Sequence, residues 1–214
     1  MTSRKLGVRD AAKAIEELEA HYPNARYYLN FRTAVDLVAA AIISARTKDA
    51  VVNAVTPALF DKYRTADDYA GAYPKDLERM ISKVPFASRK AGNIIQAFKI
   101  IVNDYGGKVP DRYEALIALP GIGGKTANTI LINAFGKAMG IPVDTWVLRV
   151  SYRLGLSIET DPDRVEADLE RLADKRYWMN IAYVMKAHGK EICRISNPLC
   201  NKCFLSGLCM RNGV

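Results

Sequence analysis

The sequence predicts an all-α protein of about ten helices. Three observations carry this. Apolar residues recur at helical spacing in almost every segment, alternating β-branched runs are too short for a strand, and breaks between periodic segments are brief. At 214 residues the chain corresponds to one or two domains of roughly 150 residues each. Its 50% hydrophobic and 25% charged residues are enough for a buried core and exclude a disordered chain.

In chain order, Val8 to Ala20 sets Ala11, Ala12, Ile15 and Leu18 on one face, with Lys13, Glu16, Glu17 and Glu19 largely elsewhere. Asn30 can cap a segment running to Ile43, whose all-round apolarity predicts a buried central helix. A helix over Lys48 to Tyr63 follows, then short pieces at Asp67 to Gly71 and Pro74 to Lys83, the latter opened by a first-turn proline. Ala87 to Tyr105 reads as a long helix stopped by Gly106 and Gly107. Asp111 can cap Tyr113 to Leu119, and further helices are expected over Lys125 to Phe135, Thr145 to Leu154, Asp163 to Ala173 and Tyr177 to Lys190. No internal repeat or low-complexity stretch is visible, and Gly136 to Pro142 is the best linker candidate.

Lysine plus arginine is 31 against 23 for aspartate plus glutamate, a net charge of +8. That balance suits a polyanionic partner, either nucleic acid or an anionic membrane surface. The longest apolar run, Leu37 to Ile43, is far short of the roughly 20 residues of a spanning helix. The segment from Met1 to Gly7 lacks the apolar core of a signal peptide, so a cytosolic protein without membrane contact is expected.

The most informative stretch is Leu119-Pro120-Gly121-Ile122-Gly123-Gly124-Lys125-Thr126-Ala127. An apolar helix ends at a Pro-Gly-apolar-Gly turn and a second helix begins at once. Glycines 121 and 123 permit backbone angles that a side chain would obstruct and expose amide N–H groups. With the positive end of the next helix, these amides form a site for a phosphate oxygen. Ile122 at the tip can plug between the helices. This is the pattern of a helix-hairpin-helix DNA-binding motif, set against an ordinary glycine-containing helix turn. A Walker-type phosphate loop is excluded, because four residues must separate its glycine from Gly-Lys and a strand must precede it.

Lys125 stands at the start of the second helix, where the helix dipole and partial burial would both favour a neutral, nucleophilic amine. A phosphate-contacting lysine is the alternative. Asp144, in Pro142-Val143-Asp144-Thr145-Trp146, begins an apolar helix. It can be an N-cap worth about 1 kcal/mol, a carboxylate held opposite Lys125, or both. Cys193, Cys200, Cys203 and Cys209 are the only cysteines and crowd one end of the chain. Clustered thiols in a cytosolic-looking chain read as metal ligands rather than as a disulfide framework. The spacing Cys-x6-Cys-x2-Cys-x5-Cys holds one close pair and two outer ligands, which suits an iron–sulfur cluster; zinc is the alternative.

Together, the hairpin with Lys125, the Val143-Asp144-Thr145 run and the four cysteines resemble the endonuclease III family, the iron–sulfur branch of the helix-hairpin-helix DNA glycosylases. Ile43-Ser44-Ala45 with Asp49 and Asn53 resembles the family's early signature, and His188-Gly189 its approach to the cluster. The resemblance spans nearly the whole chain. It implies two helical lobes flanking a DNA-binding cleft. One is a six-helix barrel over 27–138; the other combines 1–26 with 139–214 and holds a [4Fe-4S] cluster on the four cysteines. It further implies excision of oxidised pyrimidines such as thymine glycol from damaged double-stranded DNA, then cleavage of the abasic site, with Lys125 as nucleophile and Asp144 as essential carboxylate. Gly121, Ile122, Gly123, Gly124 and Thr126 would meet the DNA backbone, and Arg194 its phosphates. A monomer is expected.

Three positions depart from the family. Arg46 stands where a glutamine usually fills the space of the flipped base, Phe86 aligns with a wedge leucine, and Trp146 replaces histidine after Val-Asp-Thr. Phenylalanine can wedge between bases, or it can be core. The loop after Cys193 is also less basic than usual. These changes bear on substrate preference rather than reaction type. The competing functions are a mismatch glycosylase acting on thymine or uracil opposite guanine or on adenine opposite an oxidised guanine, a non-catalytic DNA-binding scaffold, and a zinc-stabilised nucleic-acid module.

Overall fold

A computed structural model describes residues 3–214. Met1 and Thr2, part of the segment read for a targeting signal, lie outside the described residues. All regular elements among the described residues are helical: α1 (Val8–His21), α2 (Ala34–Ser44), α3 (Asp49–Lys62), α4 (Ala66–Ala70), α5 (Pro74–Met80), α6 (Ala87–Tyr105), α7 (Tyr113–Ile117), α8 (Gly124–Phe135), α9 (Thr145–Leu154), α10 (Pro162–Leu172) and α11 (Ile181–Glu191). Short 3-10 turns form at Lys175–Tyr177 and Cys200–Lys202. None of these helices is long and apolar enough to cross a membrane. The chain divides into two units, one of Tyr27–Lys137 and one joining the N-terminal segment through Arg26 to Ala138–Val214.

In the unit over 27–137, α2 is the buried centre. Every residue from Asp36 to Ile43 is buried, and α3, α6 and α8 pack around the helix. Tyr69 is sandwiched between Tyr63 and Phe98, with ring centroids 5.0 and 4.5 Å apart. The buried carboxylate of Asp36 is satisfied by the backbone and side chain of Arg32, whose guanidinium also pairs with Asp61. Asn30 does not cap α2: the Thr33 hydroxyl accepts from the Asp36 amide, and the amide of Asn30 is instead held by Asn53. Asp111 does not cap α7 either, because its carboxylate pairs with Lys137. Helix α7 ends at Ile117 and α5 at Met80, both earlier than the apolar pattern suggests.

In the other unit, α1 packs on α10 and α11, and α9 on α10 and α11. The buried face of α1 is Ala11, Ala14, Ile15 and Leu18; Ala14 takes the place expected for Ala12. Helix α11 begins at Ile181 rather than Tyr177, since the residues before it wind as the 3-10 turn that Asp174 caps. Asn212 laces the two chain ends together, accepting from the Arg4 amide and donating to the Arg4 and Tyr152 carbonyls.

The α9–α11 contact depends on a missing side chain. A Cβ on buried Gly189 would lie 2.9 Å from Trp146 Cε3, 3.1 Å from Arg149 Nη2 and 3.3 Å from Val150 Cγ2. Gly189→Ala is therefore expected to cost about 1–3 kcal/mol by overpacking, read as a lower urea midpoint.

Candidate functional site

The turn between α7 and α8 is built by specific contacts. Gly121 has φ of +84°, a left-handed conformation, and a Cβ there would lie 3.0 Å from Asn93 Nδ2 and 3.2 Å from Ile42 Cγ2. The turn is thus pressed onto α6 and α2. Gly123 differs from expectation: its φ is −107° and a Cβ would meet nothing, so neither conformation nor space requires glycine there. Space is needed at Gly124, where a Cβ would lie 2.7 Å from the Tyr113 hydroxyl. Ile122 is buried in the core, and its amide donates to the Leu119 carbonyl, so this amide closes the turn instead of facing outward. Helix α8 starts without a capping side chain, and Lys125 and Thr126 lie in its first turn. Lys125 is exposed, so its surroundings in this unit do not include the burial expected from the sequence.

Two more turns in the same unit carry residues in the left-handed region. Arg46, just after α2, has φ of +53°, and Phe86, just before α6, has φ of +60°. Such angles are uncommon for non-glycine side chains and unusual for a bulky one. Arg46 is exposed, and so is Phe86 at 60% of its surface; Phe86 is not core. Buried Lys90, one turn into α6, donates to the Ile43 carbonyl (2.8 Å), the Ala45 carbonyl (2.6 Å) and the Thr47 hydroxyl (2.8 Å). Burial and then neighbouring Arg89 lower its pKa below the usual lysine value.

In the unit that holds the C-terminal half, half-buried Asp144 is the N-cap of α9. Its Oδ1 accepts from the amides of Trp146 (2.8 Å) and Val147 (3.0 Å), and Oδ2 carries no hydrogen bond among the described residues. The cap fixes the direction of the carboxylate while leaving one oxygen available. Trp146 lies under the guanidinium of Arg149, 4.6 Å from ring centroid to Cζ, with the Lys190 ammonium 5.9 Å away.

The last two turns of α9 hold the cysteine loop. Arg149 donates to the carbonyls of Cys193 and Gly189, and Arg153 donates to the carbonyls of Arg194 and Ile195. Arg194 itself is exposed. None of the four cysteines is in a disulfide, and all line one cavity of about 370 Å³ including the space at its mouth, together with His188 and Arg153. Among the described residues no three metal-ligating side chains converge on one point. The donor set fits a cluster. Arg153 Nη1 points at Cys193 Sγ (3.7 Å) and the Arg211 amide at Cys209 Sγ (3.4 Å), which are donors suited to thiolate sulfur. Burial raises the thiols of Cys203 and Cys209, a preference that a bound cation reverses. His188 is buried between the Tyr22 hydroxyl and Cys203 Sγ.

Residues 39–175, which contain Lys125 and Asp144 and stop short of the cysteines, match the family described as HhH-GPD superfamily base excision DNA repair protein. The chain belongs to that family. The similarity continues through the cysteines in an endonuclease III from Synechocystis sp., 41% identical over 98% of this chain and 94% of its own length. An endonuclease III from Bacillus subtilis is 36% identical over 95% of this chain and 93% of its own. Among solved structures, a trapped endonuclease III–DNA covalent intermediate superposes with a TM-score of 0.90 at 35% identity, covering 95% of this chain and 96% of that one. A thermostable thymine-DNA glycosylase shares the fold, with a TM-score of 0.84 at 23% identity over 94% of this chain and 95% of that one.

Within this HhH-GPD chain, three contributors escape a sequence reading. Lys90 is indistinguishable from its neighbour Arg89 by pattern, and only its burial separates them. Arg153 reads as an ordinary helix C-terminal cation. Tyr113 reads as the first residue of a helix, and only the glycine at 124 hints that something occupies that space.

Proposed function

We propose that this chain excises oxidised pyrimidines such as thymine glycol from duplex DNA and then cuts the abasic site by β-elimination, using Lys125 as nucleophile and Asp144 as the essential carboxylate. The observation that supports it most is the match, over nearly the whole chain, to a relative captured as a covalent intermediate with DNA, in a protein that presents an exposed lysine at the start of the hairpin's second helix.

A base within the stack is out of reach, so the nucleotide is first flipped out. As the base leaves with the bonding electrons, positive charge develops on the sugar, and the uncommitted Oδ2 of Asp144 stabilises it. Once it has given up a proton, the amine of Lys125 attacks C1′, and Asp144 assists the proton transfer. Ring opening yields a protonated Schiff base, the C2′ proton becomes acidic, and its loss expels the 3′ phosphate. Gly121, Gly123, Gly124 and Thr126 are assigned to the DNA backbone through main-chain groups. Ile122 serves by keeping the turn rigid. Arg46 and Phe86 enter the duplex, and Arg194 meets a phosphate.

We assign residues 27–138 to the barrel lobe and 1–26 with 139–214 to the cluster lobe. Cys193, Cys200, Cys203 and Cys209 would hold a [4Fe-4S] cluster, which when bound cross-links the loop bearing Arg194. We further assign the protein to the cytoplasm, where chromosomal DNA would be met, and to a monomeric state. Cys200→Ser is expected to lose iron and sulfide and to lower the melting temperature by at least about 5 °C, because ligand binding here is folding energy. Metal analysis that finds stoichiometric zinc instead would contradict the cluster assignment.

The function is tested with three duplexes carrying thymine glycol, an abasic site or a G·T mismatch. Base release with scission on the 3′ side is expected for the first, and scission for the second. Release confined to the G·T duplex, or release without scission, would overturn the reading in favour of a mismatch or monofunctional enzyme.

A further inference from the structure

Arg46 and Phe86 sit 40 residues apart in sequence, yet both are exposed, both adopt left-handed backbone angles, and both turns close on one residue. The Phe86 carbonyl accepts from the Lys90 amide (3.0 Å). The Lys90 ammonium reaches the other turn, bonding the carbonyl just before Arg46 and the hydroxyl just after it. Its third partner, the Ile43 carbonyl, belongs to the last turn of α2, where acceptors are left over by the helix and a cation is favoured. Lys90 thereby spends all three of its donors on neutral acceptors, and among the described residues no carboxylate pairs with it. A buried ammonium with no counter-charge is costly to keep unless its partners are fixed in place. On top of the packing of α6 on α2, such a tie couples the two turns directly through a single side chain. Lys125 belongs to neither turn.

We infer that Lys90 is the positioning residue that holds Arg46 and Phe86 at a fixed separation, so that the two side chains enter a duplex as one unit. The inference rests on the proposed action on duplex DNA. It assigns Lys90 no contact with the reacting atoms. Entry between strands is called for only where a partner strand is present, so the effect of losing Lys90 should be confined to duplex substrates.

The test compares wild type with Lys90→Met and with the milder Thr47→Val, which removes one of the three acceptors. Two readouts are taken. One is the fluorescence rise of 2-aminopurine placed opposite a tetrahydrofuran abasic analogue, recorded at saturating protein. The other is the rate of borohydride-trapped adduct formation on an abasic site in duplex and in single-stranded DNA. Lys90→Met is expected to lose most of the fluorescence rise and to trap duplex about 10-fold or more slowly, while its single-strand rate stays within about 2-fold, since a displacement near 1 Å can cost up to about 100-fold. Thr47→Val should move both duplex readouts in the same direction by a few-fold.

Equal slowing on duplex and single strand would show a general loss of structure and overturn the inference. An unchanged fluorescence rise in Lys90→Met, or in Thr47→Val if the first variant does not fold, would also overturn it, as would a wild type that leaves 2-aminopurine stacked. If wild type unstacks the probe and the variants do not, but no adduct forms with either DNA, the Lys125 chemistry fails and the role of Lys90 stands.

Discussion

Lys125→Gln is expected to abolish strand scission, slowing it by at least about 10³-fold, without unfolding the protein. Lys125 is exposed, and its backbone carbonyl accepts from the Thr129 hydroxyl inside α8, a bond that glutamine keeps. Glutamine and lysine are close in helix propensity, so the stability change should stay within about 0.5 kcal/mol. Duplex affinity should fall only modestly, as for the loss of one backbone cation. An assay that follows scission and binding on the same abasic duplex separates the two. Scission at the wild-type rate would make Lys125 a phosphate contact and nothing more.

Asp144 offers a sharper separation, because its two oxygens are used differently. Asp144→Asn keeps an Oδ1 that can accept from the Trp146 and Val147 amides, so the cap of α9 survives; what it loses is the negative charge. Base excision is expected to slow by about 10²–10³-fold, the usual scale for removing one group that stabilises developing charge. Asp144→Ala should lose the same activity and in addition about 1 kcal/mol of stability from the missing cap. Single-turnover excision beside a urea melt for each variant checks both. If the asparagine variant excises normally, Asp144 is a cap only.

Much of this was legible in the sequence where a local signal decides the outcome. Helix α6 runs from Ala87 to Tyr105, as its glycine stop implies, and α9 from Thr145 to Leu154, starting where the Asp144 cap implies. The order of hairpin, Val-Asp-Thr run and cysteines was enough to identify the family. Where distant residues decide, the pattern misled. Thr33 rather than Asn30 caps α2, which starts only at Ala34, while Asn53, from another helix, accepts from the Asn30 backbone amide; Asp111 is drawn away from α7 by Lys137. The hairpin glycines could be counted but not apportioned. Gly121 is needed for its angle and its contact with Asn93, Gly124 for the Tyr113 hydroxyl, and Gly123 for neither. Nor does any composition signal mark Arg46 and Phe86 as left-handed, since neither is a glycine, an asparagine or an aspartate. The buried Lys90 tie that accompanies them exists only in three dimensions.

The most direct test of the central chemistry is to locate the covalent bond. Wild-type protein is reacted with an abasic duplex, reduced with borohydride and digested, and the sugar-modified peptide is sequenced by mass spectrometry. The chemistry proposed here predicts a single modified amine, the side chain of Lys125. A modification on another lysine or on the N-terminal amine, or none in protein that binds the duplex, would contradict it.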